Sequence, residues 1–201
     1  QKGYNGVAIF SKTPIVEVGR YEFAGLDHAR HIAGQLENGV TIHNFYVPAG
    51  GDEPNREKNI KFAQKLDYLT DMRDHFAADT PTKSILVGDL NIAPREDDVW
   101  DHKKMLKVVS HTPIEVEHLA EVQAAGKWVD VTRQDIATGL LYSWWSYRAK
   151  DWDAADTGRR LDHIWATPDV SDAAHSSRIL RHVRGWEQPS DHAPVFASFD
   201  L

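Results

Sequence analysis

Asp89 and Asn91 stand two residues apart, just past a short apolar run, Ile85-Leu86-Val87, and a glycine, Gly88. Such a run followed by glycine predicts a buried strand, and a strand apolar on both faces is typical of an α/β sheet. On an extended backbone, residues i and i+2 project to the same side. The strand end therefore offers a carboxylate beside a carboxamide. The first can hold a cation or move a proton; the second can donate to an oxyanion. The same pair also fits an ordinary turn in which Asp and Asn bond backbone groups. Other polar residues stand at the edges of apolar runs: Tyr46, Asp162 after Leu161, and Asp191 with His192. Each has a plain structural reading: Tyr46 as a core aromatic, Asp162 as a satisfied sheet-edge residue, Asp191 as a cap on a strand entry. Together, the carboxylates, carboxamide, imidazole and phenol could bind a hard divalent cation through oxygen. They could also orient a water and stabilise added negative charge on phosphorus. The sequence has no glycine-rich phosphate loop, zinc-ligand spacing or Gly-x-Ser-x-Gly elbow.

Several elements must position these groups. Residues 6–11 and 39–47 predict strands. In the second, Val40, Ile42, Asn44 and Tyr46 share one face, and Thr41, His43, Phe45 and Val47 the other. Residues 55–77 predict a helix, with Phe62, Leu66, Leu69 and Phe76 at helical spacing. Thr112, Pro113 and Glu115 spell a helix start as N-cap, N1 and N3, and Gly126 a stop. Residues 95–107 read as irregular or short helix, 128–134 and 151–160 as loops, and 141–148 as an aromatic-rich strand. Residues 161–166, 177–183 and 193–199 predict further strands. Many strands with few helices favour a sandwich over a regular βαβ barrel.

With 201 residues, 41% apolar and 26% charged, one soluble domain spanning 1–201 is expected. No apolar run approaches membrane-spanning length, and residues 1–4 carry no leader pattern. The chain has no cysteine, which excludes disulfides and thiolate metal sites and suits the cytoplasm. The net charge of −7 weighs against nucleic acid, but it hides distribution: Arg148, Lys150, Arg159 and Arg160 flank the aromatic segment, and a basic rim around an acidic site would still give a negative total.

In this order, the segments 6–12, 44–48, 88–94, 142–148, 161–164 and 190–195 resemble the exonuclease III branch of the endonuclease/exonuclease/phosphatase superfamily. The resemblance spans almost the whole chain. It implies a four-layer α/β sandwich, two face-to-face β-sheets flanked by helices. It also implies Mg²⁺- or Mn²⁺-dependent hydrolysis of duplex DNA at abasic sites and 3′ ends, by a protein that is a monomer when full-length. The implied catalytic residues are Tyr46, Asp89, Asn91, Asp162 and His192. Asp89, Asn91, Asp191 and His192 would be metal ligands, and Trp144 and Arg148 would contact substrate. Family members also carry, upstream, a strand with an active-site Asn and another ending in a metal-ligand Glu. No residue here matches either, so the chain resembles the C-terminal portion of the pattern, lacking the N-terminal strands and their covering helices. Two other functions compete: a sugar- or lipid-phosphate phosphatase of the same superfamily, and a non-catalytic binding module. Against the phosphatase, those relatives carry His where this chain has Tyr46 and lack the Trp-rich segment.

Overall fold

A computed structural model describes residues 5–26 and 28–201; residues 1–4, where no leader pattern was expected, and residue 27 lie outside the described residues. Three antiparallel strands, β1 (Ile15–Gly19), β2 (His31–Leu36) and β3 (Thr41–Tyr46), open the fold. Helix α1 (Ile60–Ala78) then crosses to β4 (Ser84–Asp89), which pairs parallel with β3. Next come α2 (His102–Met105), α3 (Pro113–Ala125), β5 (Val129–Asp130) and α4 (Val131–Asp135). They are followed by β6 (Trp144–Trp145), α5 (Trp152–Ala155), β7 (Gly158–Arg159) and β8 (Asp162–Ala166). The chain closes with α6 (Pro168–Ser171), β9 (Ala174–Ile179) and β10 (Val195–Phe199). The main sheet runs β1-β2-β3-β4-β8-β5; β9 pairs with β10, and β6 with β7.

The alternation read in β3 is realised. His43 and Phe45 are buried, Ile42, Asn44 and Tyr46 only partly so. Phe45 and Leu86 pack under Tyr68, Leu69, Met72 and Phe76 of α1 and Leu119 and Val122 of α3. The opposite face, with Ile85, Ile164 and Ala166, packs on Ala174, Val195, Ala197 and Phe199 of the β9–β10 pair. Helices, large sheet and small sheet thus form three layers among the described residues, an α/β sandwich with a reduced second half.

Helix α1 starts at Ile60, later than its periodicity implies. Asn55 Oδ1 accepts from the Glu57 and Lys58 amides and holds a turn there, and Asn59 is the N-cap. Helix α3 has the expected capping box between Thr112 and Glu115. Gly126 does end it, but with φ −87°; Lys127 takes the left-handed turn at φ 52°. A Cβ on Gly126 would meet Trp128 Nε1 at 2.1 Å, so glycine is needed there for the tryptophan's close approach.

Several local expectations are corrected. Residues 6–11 form no strand. Val7 and Ile9 are half-covered while Ala8 and Phe10 are exposed, the period of a strand, but no described strand completes a ladder beside them. Asn44 Nδ2 ties them to the sheet by donating to Ala8 O at 2.9 Å. Residues 128–134 hold β5 and much of α4, because Asp130 caps the helix by accepting from the Arg133 amide. Of 141–148 only Trp144–Trp145 is strand, and the 151–160 loop contains α5 and β7. The strand expected at 177–183 lies instead at Ala174–Ile179, and a 3₁₀ turn follows at Arg181–Gly185.

Candidate active site

The sheet register gathers the polar residues at one end of the sheet. Tyr46 ends β3 directly beside Asp89 at the end of the parallel β4, and Asp162, which opens the antiparallel β8, lies across from Asp89 on its other side. Gly88 makes this crowding possible: its φ is +133°, and a Cβ there would meet Phe45 O at 1.9 Å. Asn91 then turns back with φ 54°. Its amide donates to Asp89 Oδ1, and its Nδ2 donates to Asp89 Oδ2 and to Val47 O, each at 2.9 Å. The turn alternative is thus real, and it serves the site: both Asp89 oxygens are fixed in place.

The segment before β10 supplies the rest. Trp144 bridges to His192, and its Nε1 donates to Asp191 Oδ2 at 3.0 Å. His192 Nδ1 donates to Asp162 Oδ2 at 2.8 Å, and its Nε2 lies 3.9 Å from Asp89 Oδ2. One ligand atom each of Asp89, Asp162 and His192 lies within 4.8 Å of the others. Tyr46, Asp89, Asn91, Trp144, Arg148, Asp191 and His192 line a cleft of about 560 Å³. Asp162 lines an adjoining cavity of about 440 Å³, which shares Tyr46, Asp89, Asp191 and His192 with it. All eight residues singled out in the sequence therefore meet in one region, although Asp191 stands outside the tight trio. Arg148 is exposed at the rim.

The trio's charges are strongly coupled to their surroundings. Burial, then the charge of Asp162, raise the Asp89 carboxyl to about 7, against the pull of His192 and the Asn91 hydrogen bond. Burial would lower the His192 imidazole, but the Asp162 hydrogen bond and the charges of Asp162, Asp89 and Asp191 outweigh it and raise the group to about 9. The His192 ring is thus favoured in its protonated form at neutral pH, beside the Asp89 carboxyl poised to exchange a proton.

Sequence reasoning passed over Ser143. This fully buried residue ties three site segments together. Its Oγ accepts from the Leu161 and Asp162 amides at 3.0 and 3.1 Å, and its carbonyl accepts from Ala193 N at 2.7 Å. The one available signal was a small hydroxyl inside an aromatic run. Arg159, noted only as part of a charged cluster, proves to line the cleft.

The Endonuclease/Exonuclease/phosphatase family model matches residues 1–192. The chain is 27% identical over 212 residues to exodeoxyribonuclease III of Haemophilus influenzae, covering 99% of this chain and 78% of that protein. Among solved structures it resembles a 3′-5′ exonuclease from Neisseria meningitidis, with TM-score 0.81, 27% identity, and 94% of this chain and 72% of that one covered. It likewise resembles an AP endonuclease from Archaeoglobus fulgidus, with TM-score 0.80, 27% identity, and 87% and 66% covered. The chain belongs to the endonuclease/exonuclease/phosphatase family. Within it, it falls in the exonuclease III and AP endonuclease branch, as an exonuclease III-like hydrolase.

Proposed function

We propose that this chain is a divalent-cation-dependent DNA-repair phosphodiesterase, with 3′→5′ exonuclease and AP endonuclease action on duplex DNA in the cytoplasm. The observation that carries the reading is the convergence of Asp89, Asp162 and His192 within 4.8 Å, Asp89 and His192 lining both cavities and Asp162 the second. Their donor set, mostly oxygen, suits Mg²⁺ or Mn²⁺ better than a soft metal. Asp89, Asp162, Asp191 and the Asn91 amide oxygen would hold the ion. When bound, it supplies positive charge to the phosphate and acidifies a ligated water.

The remaining chemistry belongs to the chain's own residues. Asp89, raised toward neutrality and held by two Asn91 donors, accepts a proton from the attacking water or returns one to the leaving oxygen. His192, protonated and braced by Asp162, donates to a non-bridging phosphate oxygen as negative charge builds there. A protonated ring cannot ligate metal, so this reading gives His192 charge stabilisation; neutral, with Nδ1–H on Asp162, its Nε2 would be the third ligand of the trio. The Tyr46 phenol lies along the same wall, and Asn91, whose two Nδ2 protons go to Asp89 and Val47, serves by fixing Asp89.

The test is incubation of the 201-residue chain with Mg²⁺ or Mn²⁺ and two duplexes, one with an abasic site and one with a recessed 3′ end. Incision or degradation is expected, and Asp89→Ala should lower it by at least about 10²-fold. No turnover of either duplex in both metals would overturn catalysis and leave the binding-module reading. Faster turnover of an inositol phosphate would favour the phosphatase reading instead.

A further inference from the structure

Buried and half-buried guanidinium groups are normally neutralised by carboxylates. Arg160 obeys this rule: it pairs with Asp98 and Asp130 at 2.7 and 2.8 Å. Its neighbour Arg159 does not. Arg159 is half-buried and lines the cleft, yet no carboxylate among the described residues comes within 4.0 Å of it. Its position is nonetheless fixed. It is the cross-strand partner of Trp144 in the β6–β7 pair, and its guanidinium lies over the Trp144 ring at 4.9 Å. Nη1 donates to Val109 O at 3.2 Å and to Ser110 Oγ at 2.9 Å. Nη2 has no hydrogen-bond partner among the described residues, and Nε is buried without one.

The wall that anchors Arg159 is itself braced. Ser110 sits at φ 89°, and its amide donates to both Glu115 oxygens, at 2.9 and 3.0 Å. Glu115 is in turn paired with Lys65 at 2.5 Å, both side chains fully buried. The fold thus holds a cation rigidly in the cleft, with Nη2 donors unspent and no carboxylate in direct contact; its nearest compensation is the charge of Glu115 behind Ser110. Trp144 links this cation to the trio, since it touches Arg159 on one strand and His192 on the other.

Given the nuclease reading above, on which this rests, we infer that Arg159 is a substrate-binding residue that holds a phosphate of the substrate strand beside the one being hydrolysed. A stacked guanidinium with unspent N–H groups is preorganised for phosphate oxygens. Arg148, exposed at the rim, has no such anchor. The phosphate is either a flanking diester of the backbone or a terminal monoester on a 3′ end; both present the same oxygens.

The test is equilibrium binding of fluorescent duplexes to the metal-free chain over a range of KCl, with wild type, Arg159→Gln and Arg159→Lys, on duplexes ending in 3′-hydroxyl or 3′-phosphate. On wild type, log Kd should rise with log[KCl]. Arg159→Gln should weaken binding about tenfold near physiological salt and reduce that slope by about 0.9, the loss of one phosphate contact. Arg159→Lys should keep the slope and bind between the two, because lysine keeps the charge but loses the fork and the stacking. A weakening on both duplexes identifies the flanking diester; one confined to the 3′-phosphate duplex identifies the terminal monoester. An unchanged slope in Arg159→Gln overturns the assignment, even if its melting temperature falls, because a purely structural role moves stability and not the counterion count. If wild type shows no salt-dependent binding to either duplex, the DNA reading falls with it. If wild type binds and Arg159→Gln matches it, only the Arg159 assignment falls.

Discussion

At the scale of single residues, the site is governed by one hydrogen bond. Asp162 accepts from His192 Nδ1, and this contact, with the nearby carboxylates, holds the imidazole charged against the cost of burial. Removing the charge while keeping the shape separates these effects. In metal-free Asp162→Asn, NMR titration of His192 should give a pKa well below the wild-type value of about 9, toward or under 6.5. The fall has a fixed sign: the carboxylate favoured the protonated ring, the carboxamide cannot, and burial still opposes it. Activity should then fade at a lower pH in the variant, because the imidazolium is lost sooner as pH rises. A His192 pKa that stays near 9 would show that Asp89 and Asp191 suffice and that Asp162 only orients the ring. The residue types at the site were legible because each stands at a strand end, where chemistry differs from the apolar run before it. Their pairing was not derivable from spacing: Asp162 and His192 are 30 positions apart, and only the antiparallel β4–β8 register and the Trp144 bridge bring them to Asp89.

At the scale of elements, two helices brace the site from behind. Lys65 of α1 donates to Glu115 of α3 at 2.5 Å and to the Asn91 carbonyl at 2.8 Å, so both helices are fastened to the turn that carries the carboxamide. Burial lowers the Lys65 pKa, partly opposed by Glu115, yet the pair is dry and satisfied. Removing one partner of such a pair leaves the other as an uncompensated buried charge, at a cost of about 3–5 kcal/mol. Lys65→Met should therefore lose about 3 kcal/mol or more in urea unfolding. Glu115→Ala should lose more, because Glu115 also accepts from Ser110 N, Thr112 N and Thr112 Oγ1. A loss below about 1 kcal/mol for Lys65→Met would mean that water or a neighbouring group replaces the pair. Sequence showed α3 well, since Thr112, Pro113 and Glu115 encode its start locally. Nothing in the spacing of the helix marks Lys65 as buried, because helical periodicity does not reveal that α3 covers its tip. Strand β2 was invisible for a related reason. His31, Ala33, Gly34 and Gln35 lack strand character, and their pairing comes from β1 and β3 on either side. Residues 6–11 fail in the opposite sense: their strand character is strong, but extended residues become a strand only beside a partner.

For the molecule as a whole, the buried histidines set the response to acid. Tyr21 N donates to His31 Nδ1 at 3.0 Å, which places the His31 proton on Nε2, where it donates to His43 Nδ1 at 3.2 Å. The two rings lie in an aromatic stack with Tyr21 and Phe45 and are almost fully buried. Burial, with the charges of His43 and His75, lowers His31 to about 3; burial, with His75, lowers His43 to about 4. Protonating either inward-facing nitrogen would break the chain of donors. In the unfolded chain both rings take up protons near 6.5, so between that pH and about 4 the unfolded state binds more protons than the folded one. Stability contributed by the two neutral rings is therefore complete above pH 6.5 and is lost progressively as pH falls, by an amount on the order of a few kcal/mol. Asp98, held low by Arg160 and Arg133 despite its burial, adds its own loss only at more acid pH, as it approaches the ordinary carboxylate range. Urea midpoints should thus fall from pH 6 to 4.5, less steeply than two rings alone would give, because Asp89, raised to about 7, takes up a proton in the folded chain over the same range and acts in the opposite direction. NMR signals of the His31 and His43 rings in the folded chain should not titrate above pH 5. A flat midpoint across that window, or either ring titrating near 6.5 while the chain stays folded, would show that the stack accommodates charge and that acid sensitivity originates elsewhere.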